Sequence, residues 1–317
     1  MEMALELFQL QYRLNKVYKT YVDMLGVDCR QVKRLEDIPF LPIQFFKNKL
    51  IATTEFDPEI IFESSGTTGE NKSRHFVKNL SLYKKSFRNC FKMFYGDPAG
   101  FCIIGLLPGY LERKNSSLVT MVHHLILESS NSQSGFYLYD HEKLYHILLQ
   151  NEFKKQPTLL IGVTFALLDF AEKYSIKLNY TTIMETGGMK GRKEEITREE
   201  VHSFLHKKLG VKNVHSEYGM TELLSQAYSK EEGLYSCPPW MKVLIREEDD
   251  PFIITEKPST TKPAKGLLNV IDFANLYSCC FIATDDAGKL YRNGNFEVLG
   301  RRDVTDLRGC SLLTAGE

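Results

Sequence analysis

The chain has no net charge: its 317 residues carry 40 lysines and arginines against 40 aspartates and glutamates. Neither nucleic acid nor an anionic membrane surface is therefore indicated as a partner. It also lacks any C-x-x-C pair. The seven cysteines (Cys29, Cys90, Cys102, Cys237, Cys279, Cys280 and Cys310) are odd in number and mostly sit in apolar runs, which argues against a zinc site or a disulfide framework and for reduced thiols. No apolar run approaches the ~18 residues of a membrane helix, and Met1-Glu2-Met3-Ala4-Leu5-Glu6 carries acid where a secretion signal needs base. No membrane insertion is expected, and the expected location is the cytoplasm. Internal repeats and low-complexity linkers are missing too. What is left, 43% hydrophobic and 25% charged, is an ordinary globular composition with material for one large domain or two smaller ones.

Apolar residues at helical spacing between positions 4 and 25 (Leu7, Leu10, Leu14, Val17, Tyr21, Met24) predict an amphipathic helix laid on a larger body. Pro39 and Pro42 then impose an extended path. Further on, helix-like runs over 81–95, 116–128, 141–153, 165–174 and 194–209 alternate with strand-like runs over 101–107, 136–139, 158–163 and 181–186. That alternation predicts an α/β fold with mainly parallel sheet flanked by helices. From about Met241, shorter strands with Pro and Gly turns predict a small β region that ends near Glu297.

Three stretches stand apart from this framework. The first is Ser64-Ser65-Gly66-Thr67-Thr68-Gly69, followed by Glu70-Asn71-Lys72 and bounded by the strand-like Ile60-Ile61-Phe62 and His75-Phe76-Val77. Glycines let a backbone turn sharply and expose consecutive N–H groups, while hydroxyls and Lys72 add donors suited to a polyphosphate. A solvated hairpin turn uses the same residues. A P-loop is a poor fit, because Asn71 occupies its second glycine and a strand, not a helix, follows. The second stretch, Glu185-Thr186-Gly187-Gly188-Met189-Lys190-Gly191, closes a buried strand, and its glycines permit a flat ligand against backbone or a plain helix entry. The third, His215-Ser216-Glu217-Tyr218-Gly219-Met220-Thr221-Glu222, puts a ring, a bend, a hydroxyl and a carboxylate just past another strand. It reads equally as a polar helix start capped by Thr221. Strand ends are where α/β folds bind ligands.

Taken together and in this order, the three stretches resemble the motifs of the adenylate-forming superfamily of acyl-CoA synthetases, peptide-synthetase adenylation domains and luciferases. Ser64 to Lys72 matches its phosphate loop S/T-S/G-G-S/T-T-G-x-P-K except that Asn71 stands for Pro, and Tyr218 to Glu222 matches Y-G-x-T-E in full. Ala283-Thr284-Asp285-Asp286 is similar to the T-G-D segment, and Gly300-Arg301-Arg302-Asp303 to the G-R-x-D hinge. The wording of Pro108 to Arg113, Ser116 to Val119 and Arg308-Gly309-Cys310 resembles the acyl-protein synthetases within that superfamily.

The resemblance implies the large domain of an adenylate-forming enzyme. Residues 1–240 would form the α/β core, 241–300 an appended β region of the same domain, and 301–317 a hinge-like tail. It implies ATP and Mg²⁺ as cofactors and a carboxylic, fatty-type acid as substrate. Ser64, Ser65, Gly66, Thr67, Thr68, Gly69 and Lys72 would hold the phosphates, Gly187 and Gly188 would flank adenine, and Tyr218 with Gly219 would stack on it. Thr221 would bind the α-phosphate, Glu222 would hold Mg²⁺, and Asp286 with Arg301 would fix the ribose. His123 and His124 fall where the family guards its acyl pocket, although a histidine on an apolar helix is more often a core residue. Only fourteen residues follow Asp303, so the family's C-terminal lid is expected to be absent. Cys310 would take the acyl group before an acyl-accepting or reductase partner protein or carrier does, or be a small apolar residue on a terminal strand. Ligation to coenzyme A or a carrier protein, as in phenylacetate-type ligases, is the alternative, and a nucleotide-binding subunit without turnover is the alternative of another class.

Overall fold

The computed structural model describes residues 1–65, 72–109, 111–187 and 197–301. Two helices open the chain, α1 (Glu2–Leu14) and α2 (Lys16–Met24), where the apolar spacing predicted one. Asn15 divides them. Its side-chain oxygen accepts from Tyr18 N at 3.0 Å and its amide donates to the Ser278 carbonyl at 2.9 Å, so it caps α2 while binding both helices to the body. The proline-bearing segment supplies β1 (Leu41–Pro42) and the single turn α3 (Phe45–Asn48). A hairpin follows, β2 (Ile60–Glu63) and β3 (Arg74–Val77), antiparallel with Glu63 opposite Arg74, and it brackets the hydroxyl-rich loop as its flanks predicted.

The alternating segment then runs α4 (Leu80–Tyr95), β4 (Cys102–Leu106), α5 (Ser117–Glu128), β5 (Gly135–Phe136), α6 (His141–Lys154), β6 (Thr158–Gly162), α7 (Thr164–Lys173), β7 (Thr181–Glu185), α8 (Arg198–Leu209) and β8 (Val214–Tyr218). The expected strand over 136–139 is shorter, because Asp140 already caps α6 by accepting from Lys143 N. Residues 194–196 of the expected last helix lie outside the described residues. Five of these strands are parallel, in the order β5-β4-β6-β7-β8.

Both faces of this parallel part are covered, which is why its strands read as unbroken apolar runs rather than as alternations. Ile104, Leu106 and Leu160 point to the core under α6, α7 and α8. Ile103, Leu159 and Ile161 point to the opposite core under α4 and α5. The chain leaves β4 towards β5 and leaves β6 towards β7, in opposite directions, so β4 and β6 flank the sheet's switch point.

Antiparallel strands continue the same sheet. They are β9 (Ala227–Ser229), β10 (Leu234–Ser236), β11 (Met241–Arg246), β12 (Ile254–Thr255), β13 (Ala264–Asp272), β14 (Phe281–Leu290) and β15 (Phe296–Arg301), in the order β8-β9-β10-β15-β14-β13-β11-β12. Strands do occupy the region from Met241 onward, but not as the short ones expected: β13 and β14 are nine and ten residues long, and β15 runs on to Arg301. Helices α1 and α2 close this half through Phe8, Tyr18 and Phe281, with Tyr18 stacked on Phe281 at 6.1 Å. Burying each such ring contributes about 2–3 kcal/mol by transfer from water.

Candidate active site

The two ends of the hydroxyl-rich loop are pinned by backbone. Ser64 N donates to the Ser73 carbonyl, and Ser73 N returns a bond to Ser64 Oγ, each at 3.0 Å. Ser65 and Lys72 are exposed; Gly66, Thr67, Thr68 and Gly69 lie outside the described residues, as do Gly188 and Cys310.

One residue just behind the loop ties it to the Tyr218–Glu222 stretch. His75 is 1% exposed, and burial pulls its imidazole down to about 4, so it is neutral and carries one N–H. Its Nδ1 lies 3.0 Å from the Thr221 carbonyl, which can only accept, so Nδ1 holds the proton and Nε2 accepts from the Ser278 hydroxyl at 2.8 Å. Reading the sequence treated His75 only as part of a strand; a lone imidazole in an apolar strand next to a phosphate-type loop was the available signal.

Glu222 follows on the same turn and is 6% exposed. Burial pushes its carboxyl upward against a hydrogen bond from the Ser73 side chain. The turn is held from beneath: the Glu222 carbonyl accepts from Asn275 Nδ2 at 2.8 Å, and Leu224 N and Ser225 N both donate to Asp272 at 2.9 Å. At the head of the stretch Tyr218 is 8% exposed, donates its hydroxyl to Asp286 at 2.8 Å, and packs edge-on against Phe296 and Tyr235. Arg301 Nε lies 3.6 Å from the other Asp286 oxygen. Burial raises the Asp286 carboxyl, while Tyr218 and Arg301 oppose the rise. Tyr218, Asp286 and Arg301, separated widely in sequence, thus form one cluster.

The second stretch is anchored by Glu185. Its carboxylate accepts from Thr164 Oγ1 at 2.8 Å and from Ser216 Oγ at 3.2 Å, joining the end of β7 to the start of α7 and to β8. Just beyond, Gly187 adopts φ +70°, where a side chain would strain the backbone, and its carbonyl accepts from Thr164 N.

All three stretches border one cavity of about 560 Å³ through Ser65, Gly187, Gly219, Met220 and Thr221. It lies at the carboxyl ends of β4, β6, β7 and β8, against the switch point where ligands bind in open α/β sheets. Its apolar wall comes from Leu107, Val119, Met121, Val163 and Phe165. Arg113 and Ser116, in segments singled out by their wording, border it too, as do Glu217, which lies in the third stretch but was given no role there, and Gln226, just beyond it. His123 and His124 are on α5 but outside the cavity lining: His123 stacks on Phe136 at 6.4 Å and His124 on Phe87 at 6.2 Å.

Fold and cavity together define the class, an α/β enzyme with the architecture of the large domain of adenylate-forming ligases. Solved structures with this fold include a 2-hydroxyisobutyryl-CoA ligase with its acyl-AMP (TM-score 0.64, 11% identity, 94% of this chain and 66% of that one). Two others are MatB from Rhodopseudomonas palustris with ATP (TM-score 0.54, 17%, 78% and 49%) and the Bacillus subtilis O-succinylbenzoate coenzyme A synthetase with ATP and magnesium (TM-score 0.53, 16%, 78% and 51%). The chain spans between half and two-thirds of the length of these proteins.

More particularly, the chain belongs to the acyl-protein synthetase family, LuxE, whose profile matches residues 2–316. It is also 26% identical to the long-chain-fatty-acid–luciferin-component ligase of Vibrio harveyi over 333 aligned positions, covering 96% of this chain and 84% of that one.

Proposed function

We propose that this chain uses ATP to convert a fatty acid to its acyl-AMP and then passes the acyl group to a protein thiol. The observation that carries the reading is the convergence of Ser65, Gly187 and Thr221 on one cavity with an apolar wall. Its lining combines hydroxyls and backbone suited to phosphates with apolar surface suited to an acyl chain.

The acid's carboxylate oxygen attacks the α-phosphorus and pyrophosphate leaves. A thiolate then attacks the acyl carbonyl and AMP leaves. The hydroxyl-rich loop Ser64 to Gly69, with Lys72, cradles the β and γ phosphates, and Thr221 holds the α-phosphate. Gly187 and Gly188 flank the adenine. Tyr218 orients Asp286, which with Arg301 takes the ribose hydroxyls. Positioning and charge neutralisation supply the rate. Among the described residues no three acidic, histidine or cysteine side chains group as a metal site, so Glu222 would hold Mg²⁺ only together with phosphate oxygens, which suits that hard cation. When bound, the ion would neutralise charge developing on the leaving pyrophosphate.

Cys310 is the proposed first acceptor, ahead of a partner protein or carrier; family membership favours this over coenzyme A. The test is acid-dependent ATP–pyrophosphate exchange. Exchange with fatty acids is expected to fall about 10²–10³-fold in Glu222→Ala, and acyl label on the protein is expected to vanish in Cys310→Ser while exchange persists. Absence of exchange with every acid tried, despite bound ATP, would sink the reading.

A further inference from the structure

The cavity has a polar spot that adenylation does not use. Glu217 and Gln226 both border it, and they are only 8% and 3% exposed. Desolvation, opposed by no partner, pushes the Glu217 carboxyl up to about 8, so near neutral pH it is mostly a carboxylic acid with an O–H to give. The Gln226 side-chain oxygen is buried and accepts no hydrogen bond. Both groups crowd the same backbone: a Cβ added at Gly219 would run into Glu217 Oε1 and lie 3.6 Å from Gln226 Cγ. Other buried carboxyls bordering this region are taken up, Glu185 by Thr164 and Ser216, and Asp286 by Tyr218.

A desolvated donor and a desolvated acceptor beside one cavity are the complement of an alcohol, which accepts one hydrogen bond and donates another. A plain alkyl chain would leave both unpaired, at a cost that selects against it. An ammonium group would demand an ionised Glu217, against its burial.

We infer that the acid activated here carries a hydroxyl on its chain, and that Glu217 and Gln226 are the specificity-determining residues that receive it. The inference rests on the acid-activating reading above and narrows its substrate class. Glu217 donates to the hydroxyl oxygen, and the hydroxyl donates to Gln226 Oε1. Polar sites built this way reject the analogue without the hydroxyl far more strongly than an apolar pocket rejects an added one.

The test is kcat/KM for pyrophosphate exchange with matched acids: tetradecanoic acid, its forms hydroxylated near the carboxyl, at mid-chain or at the end, and the terminally aminated acid. The wild type is expected to favour one hydroxylated isomer over the plain acid by at least about tenfold. Glu217→Leu and Gln226→Leu should each bring that ratio close to one, and Glu217→Gln should keep part of it. Because the ratio is taken within each variant, the amount of folded protein cancels. A wild type that favours the plain acid, or a preference unchanged in both leucine variants, overturns the inference while leaving acid activation standing. A Glu217-dependent preference for the aminated acid overturns it in favour of a cation. No exchange with any acid overturns the activation reading itself, and this inference with it.

Discussion

Two buried carboxyls in one sheet have opposite surroundings. Asp272, at the end of β13 in the antiparallel half, accepts from Leu224 N, Ser225 N, Ser225 Oγ and Ala274 N at 2.6–2.9 Å. Glu217, on β8 where the parallel half ends, is nearly as buried and has no such donors, and it borders the cavity. The antiparallel half uses its polar residues to hold itself and the turn above it. The parallel half holds Glu185 at the end of β7 in the same way but leaves Glu217 uncommitted, because the carboxyl ends of parallel strands open into a crevice where not every polar group can be cross-braced.

The largest effect that would break this comparison is at Asp272. Its replacement by Ala strands the Ser225 and Ala274 N–H groups and the Ser225 hydroxyl, while Leu224 N keeps Asn275 Oδ1 at 3.1 Å, so a loss of about 3–5 kcal/mol is expected by urea denaturation. A loss below 1 kcal/mol would mean that the turn holds itself.

Next comes the pH dependence of the opposite carboxyl. Glu217 has a folded value near 8 against about 4.5 unfolded, so the folded state keeps a proton that the unfolded state has lost. Its contribution is present below about 4.5 and disappears as pH rises towards 8, by as much as a few kcal/mol. Glu217→Gln should flatten that decline between pH 5 and pH 8. His75 acts in the other direction: its folded value near 4 lies below the ordinary 6.5, so stability falls as pH drops from about 6.5 to 4. His75→Phe should remove that acid-side loss; equal slopes in wild type and variant would show that His75 is not buried neutral.

A smaller effect is expected at Gly162, at the end of β6. A methyl group there would lie 2.8 Å from Leu106 Cβ, and Gly162→Ala should cost about 1–3 kcal/mol through overpacking. The smallest lies across the sheet: Asn15→Ala removes the α2 cap and the Ser278 bond, for about 1–2 kcal/mol in the same denaturation.

Most of the parallel half was legible in the sequence. Its strands are short apolar runs between amphipathic helices, and burial on both faces writes itself directly into composition. Asn15 shows where legibility ends: apolar spacing carried smoothly through it, whereas its side chain caps α2 at Tyr18 N and also reaches Ser278, 263 positions away. The shortening of β5 is local instead: Asp140 competes for the chain by capping α6 at Lys143 N.

The cavity motifs were legible for a different reason. A loop that must approach phosphates needs glycines and hydroxyls whatever surrounds it, so Ser64 to Gly69, Gly187 and Tyr218 to Glu222 stand out unaided. Sequence by itself determined the fold class and the parallel strands, and marked three stretches that border the cavity, because each depends on periodicity or on backbone freedom within a few neighbours. Tertiary structure alone decided that His75 clasps Thr221, that Tyr218 meets Asp286 and Arg301, and that the Glu217 carboxyl and the Gln226 side-chain oxygen are left without partners beside the cavity. Those outcomes depend on which distant groups share a desolvated space, and no local pattern records whether a buried polar atom has found its partner.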